Sequence, residues 1–121
     1  MIEVKGDYNM AKFLTIGYGD QAGYNATPKD VRNKAHNFDS ELVKDRRAMT
    51  SVLGKPIQVR NHQAKKIETQ DGSFMKSNLP VAGFSILEAE SLDEAVALCA
   101  QTPCAIANGV VEIWPLERIL E

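Results

Sequence analysis

The sequence predicts an α+β fold with two helices against one face of an antiparallel sheet. Three observations lead there. Apolar residues recur at helical spacing in two stretches, one opening at Thr27-Pro28 and one at Ser91. Short apolar or alternating runs bounded by Gly, Pro, Asn and Asp supply the strands, giving the order β-α-β-β-β-α-β. Two helices are too few to cover both faces of a sheet of four or five strands. A ferredoxin-like arrangement, which places both helices on one side, fits that order.

The totals agree with one globular unit. A chain of 121 residues with 44% apolar and 25% charged residues has an ordinary soluble composition and fits a single domain. A net charge of −2 gives no electrostatic footprint for nucleic acid or acidic lipid. No apolar run reaches the ~20 residues of a membrane span, and no basic-then-apolar leader opens the chain, so the expected location is cytoplasmic. Cys99 and Cys104 flank Pro103 and are expected as reduced, mostly buried thiols.

Residues 1–10 are polar, with Met10 a possible alternative start, and are read as an N-terminal extension to a domain at 11–121. A weak strand over residues 1–5 is allowed. Residues 12–18 form the first strand, with Phe13 and Thr15 on one face and Leu14, Ile16 and Tyr18 on the other. Both faces are greasy, so both need cover. The glycines of residues 19–25 mark a loop. Thr27 can cap the next helix, with Pro28 at its first position. Val31, Ala35, Phe38, Leu42 and Met49 make its stripe, and it is expected to end within residues 47–50.

Residues 51–56 cross to a hairpin of two short strands, 57–60 and 66–69, around a turn at 61–64. Asp71-Gly72 is a turn signal. Residues 75–82 are loop and 83–89 strand. Ser91 caps the second helix with Glu94 placed for a capping box. Leu92, Ala95, Val96, Cys99 and Ala100 are its expected inner face, and Pro103 its stop. Residues 110–116 form the last strand, at an edge by Pro115, with 117–121 a short helix or arm. That strand also has two greasy faces, Val111 and Ile113 against Val110 and Trp114. A sheet face left uncovered by helices predicts a homodimer packed sheet to sheet.

Several short motifs occur in order: Tyr18-Gly19-Asp20, His36 with Phe38 beyond it, Asp71-Gly72-Ser73-Phe74, Ala82-Gly83-Phe84, Leu92-Asp93-Glu94-Ala95, and Val111 through Pro115. On these, residues 11–116 resemble the YCII-related family, in its DGPF-domain branch. The resemblance implies a ferredoxin-like fold, a dimeric α+β barrel and a largely undefined function. It implies enzymatic activity through a His and an Asp lining a cleft, and for some DGPF-type domains an association with alternative sigma factors. Two residues depart from the pattern. Ser73 stands for the motif's Pro, and Trp114 where a basic residue is common.

His36 is the first site candidate. It lies about 100° around the helix from Ala35, flanking the stripe, where an imidazole can reach a cleft and move a proton at neutral pH. Asp20 is its candidate orienting carboxylate. The plain alternative is a half-exposed helix histidine paired with Asp39 or Ser40. Asp71 and Tyr18 are candidate ligand-binding residues, Asp71 with the alternative of serving only its turn. No metal or other cofactor is expected, since His36, His62, Cys99 and Cys104 lack zinc-site spacing. Gly17-Tyr18-Gly19 lacks the third glycine of a dinucleotide fingerprint. The two readings are an acid–base enzyme acting on a small polar molecule, and a non-catalytic ligand-binding or protein-interaction dimer with a possible regulatory role.

Overall fold

A computed structural model describes residues 10–120 of the chain, so the strand considered at residues 1–5 lies outside the described residues. Four strands form one antiparallel sheet: β1 (Ala11–Tyr18), β2 (Ala48–Val52), β5 (Val81–Ala89) and β6 (Val110–Pro115), in the order β2-β5-β1-β6. Strands β3 (Ile57–Arg60) and β4 (Glu68–Asp71) pair only with each other, as a separate two-stranded hairpin. The helices are α1 (Gln21–Ala26), α2 (Lys29–Lys44), α3 (Leu92–Cys99) and α4 (Pro103–Ile106). The expected α+β class holds, with an antiparallel sheet and two more short helices than the sequence suggested.

Register decides which side chains face the helices. On β1, Phe13 stands opposite Leu87 of β5, and Thr15 opposite Ser85. Leu87 in turn stands opposite Ala48 of β2. This inner face packs with Leu42 of α2 and with Ala95 and Cys99 of α3 into the core. Phe13, Leu42 and Leu87 are at most 8% exposed. Burial of each such side chain is worth ~2 kcal/mol.

The other face carries Leu14, Ile16 and Tyr18 of β1, with Phe84 and Ile86 of β5, Met49 of β2 and Trp114 of β6 aligned beside them. Met49 is 56% and Trp114 46% exposed, Leu14, Ile16, Tyr18, Phe84 and Ile86 between them are half-buried, and none of the described helices packs on this face. The sequence's division of β1 into two apolar faces is therefore observed, with Leu14, Ile16 and Tyr18 outermost.

Several local readings need correction. Residues 19–25 are not a simple loop, because α1 occupies 21–26. Thr27 does not cap α2. It closes α1 instead, its hydroxyl donating to the Gly23 carbonyl at 2.9 Å, and Pro28 takes the N-cap position. Helix α2 ends at Lys44 rather than at 47–50, and Met49 belongs to β2. The chain leaves the helix through Arg46 in the left-handed region, at φ 61°.

Ser91 does cap α3, accepting the Glu94 amide at 3.1 Å, while the Glu94 carboxylate accepts the Glu90 amide at 2.7 Å. The same carboxylate holds Arg47 at 3.0 Å, tying the start of β2 to α3. The inner face of α3 is narrower than expected: Ala95 and Cys99 are buried, but Leu92 and Val96 are about half exposed, at 50% and 53%, and Ala100 is exposed. Pro103 does not simply stop a helix, since it opens α4. The final strand does lie at a sheet edge, and residues 116–120 carry no regular structure.

Candidate functional site

The inner sheet face is not filled completely by the helices. Between it and α1, α2, α3 and α4 lies an open cleft of about 510 Å³, within the size range of small-ligand sites. Its walls are mostly apolar: Leu42, Ala48, Leu87, Ala107 and Val111. On its floor the hydroxyls of Thr15 and Ser85 meet at 2.6 Å across β1 and β5. Gly17 also belongs to the floor, because the Cys104 thiol rests on it. A Cβ there would sit 2.8 Å from the sulfur, which explains a small residue without any dinucleotide role.

The titratable groups lie along one side. Asp20, Tyr24, His36, Asp39, Cys99 and Cys104 all line the cleft. Asp20 and His36 thus share it, as the sequence suggested, but they are not hydrogen-bonded to each other among the described contacts. The Asp20 carboxylate accepts the Gly23 amide at 2.8 Å and caps α1. His36 instead faces Tyr24, whose hydroxyl lies 3.4 Å from its Nε2. The Arg32 guanidinium stacks over the Tyr24 ring at 4.4 Å, and its buried Nε has no hydrogen-bond partner. The ring face is what attracts that cation.

Asp39 is the group that sequence reasoning passed over as a site residue. It sits three residues beyond His36 on α2, so the two side chains are neighbours on one helix face. Burial pushes its carboxyl above the ordinary value, and the nearby His36 opposes that shift. The signal was present in the spacing: Asp39 lies four residues after buried Ala35 and three before buried Leu42, so it is turned toward the protein. Both thiols are pushed up by burial and then by the Asp39 charge, Cys99 to about 11, so neither is a thiolate at neutral pH.

No family model matches this chain, and no curated protein matches it. Among the described residues, no group of three His, Cys, Asp or Glu could hold a metal ion, and no helix is long and apolar enough to cross a membrane.

The other two site candidates lie elsewhere. Asp71 ends β4, exposed in the separate hairpin, and does not line the cleft. Its neighbour Gly72 has φ 100°, so the Asp-Gly pair does shape the backbone there. Tyr18 does not line the cleft either. Its hydroxyl donates to Glu112 Oε1 at 2.9 Å, and that bond raises the phenol above its ordinary value.

Proposed function

We propose that this is a small cytoplasmic protein of YCII-related, DGPF-domain type that binds a small molecule in the cleft and performs acid–base chemistry on it. The reading joins a ferredoxin-like fold to a homodimer. Two copies would meet through the apolar sheet face of Leu14, Ile16 and Trp114 to make the dimeric α+β barrel. The order β2-β5-β1-β6 supports the fold, and the uncovered apolar face supports the dimer.

One observation carries the functional part: His36, Asp39 and Asp20 all border one apolar-walled cleft. His36 is the proton-transfer group. Asp39, whose raised carboxyl holds its proton to higher pH than an exposed one, is better suited than Asp20 to act with it. Asp20, used as a helix cap, shapes the wall.

A second reading, a binding protein without catalysis, is favoured by the absence of an Asp20–His36 bond and by the long 3.4 Å contact from His36 to Tyr24. A thermal-shift screen over small metabolites tests the cleft. Compounds that stabilise the wild type but not His36→Ala locate binding there, with the variant itself folding normally. Incubating each hit with the protein and following it by NMR separates the readings: turnover supports the enzyme, and an unchanged ligand supports the binding protein. Turnover by His36→Ala at the wild-type rate would overturn the enzyme reading, and no ligand response from the wild type would overturn both.

A further inference from the structure

We infer that the ligand of this cleft is a cation on an apolar body, a small primary or secondary amine whose ammonium pairs with Asp39. The inference rests on the small-molecule reading above and narrows it. Among the described residues, the charged side chains lining the cleft are Asp20, Asp39 and, when protonated, His36; neither Lys nor Arg lines it. A carboxylate or phosphate entering this space would lose water without a fixed positive partner, a loss that burial punishes heavily.

Backbone amides are neutral and do not supply that fixed positive charge. The two helix starts that reach the cleft belong to helices of six and four residues, and each has lost a donor: the Asp20 carboxylate accepts the Gly23 amide at the first, and the second opens on Pro103, which has no N–H. An ammonium meets the opposite situation. Asp39 is half-buried and makes no salt bridge among the described residues. Its charge is opposed by burial and helped only by His36, so a cation beside it recovers what burial removed. The groups facing Asp39 from the other helices, Cys99 and Cys104, are neutral thiols at pH 7 and do not compete. The apolar walls then take the rest of the ligand.

Three probes with the same ring separate charge from shape: phenethylamine, 2-phenylethanol and 3-phenylpropionate. Each is titrated into the full-length protein at pH 7.5, with affinity read from amide chemical shifts of cleft residues. Phenethylamine is expected to bind at least tenfold more tightly than 3-phenylpropionate. Asp39→Asn should bring the amine down to the affinity of the alcohol and leave the alcohol unchanged. If 3-phenylpropionate binds as well as the amine, or the amine shows no preference over the alcohol, this inference fails while the binding cleft stands. Cleft shifts with none of the three would overturn the cleft as a small-molecule site as well. The wild-type ranking alone decides the charge preference if Asp39→Asn folds poorly.

Discussion

Replacing Ile16 with glutamate tests the sheet-to-sheet dimer most directly. Ile16 lies within the uncovered face, opposite Phe84 on one side and Glu112 on the other. In a monomer the new carboxylate would stay at the surface. Its main cost would be repulsion from Glu112 directly across the strand pair, ~0.5 kcal/mol. In a dimer the same carboxylate would be enclosed beside Glu112 and the apolar side chains of the face, with no cation next to it, at ~3 kcal/mol. Two-fold symmetry repeats it in the second copy, so the loss is ~6 kcal/mol per dimer, about four powers of ten in the dissociation constant.

Light scattering coupled to size exclusion reads both states. The wild type at micromolar concentration should show twice the chain mass of 13.3 kDa, and Ile16→Glu should show the single-chain mass or aggregate. Ile16→Gln, which adds polarity without charge, should fall between them. A wild type of 13.3 kDa, or an Ile16→Glu dimer weakened less than tenfold, would refute the shared face.

Other outcomes follow from single residues. Gly72→Val should cost about 1 kcal/mol or more in urea unfolding, because φ 100° is strained for valine while open space around the site removes any packing gain; an unchanged midpoint would contradict that backbone. Asp39 is neutral in both folded and unfolded chains below the ordinary carboxylate range. As pH rises the unfolded chain loses this proton first, so the residue's contribution to stability falls until the raised folded value is passed. Asp39→Asn should therefore gain on the wild type as pH rises above the ordinary carboxylate value of 3.8, and a difference that stays constant with pH would contradict the burial of that carboxyl. Cys99, moved from 9.0 to about 11, should carry roughly a hundredfold less thiolate at neutral pH than a free thiol, so alkylation by iodoacetamide should be correspondingly slow and rise toward pH 11. Alkylation at the rate of a small-peptide thiol would place Cys99 in the open.

The elements that were legible in the sequence carry strong local chemistry. Strand β1 shows alternation on two faces, α3 has its Ser91 cap, and Pro115 marks an edge strand. The failures occur where tertiary contacts overrode weak signals. Met49 continues the period of α2, seven residues past Leu42, so nothing in its spacing announces the change to strand. The break is made by Arg46 adopting a left-handed conformation usually left to glycine. Helix α1 hides within a glycine-containing stretch, and its cap is a carboxylate that looked like a catalytic partner. His36 and Asp20 reach the cleft from positions a sequence marks, one beside a greasy stripe and one directly after a strand. Asp39 carries in the sequence the mark of an ion-pair partner for His36, and its exposure to the same cleft depends on how α2 rolls against the sheet.

The β3–β4 hairpin has a consequence for engineering. Strands β2 and β5 are themselves an antiparallel pair, closed at the top by Val52 opposite Gly83 and by the Leu53 amide donating to the Ala82 carbonyl at 3.1 Å. Everything from residue 54 to 80 leaves and re-enters the sheet between those neighbouring points. The chain thus carries its arm as a detachable cassette between adjacent anchor points, and length changes there need not alter the register of the main sheet. A fluorescent domain spliced into the arm would be joined to β5, the strand that supplies Ser85 and Leu87 to the cleft.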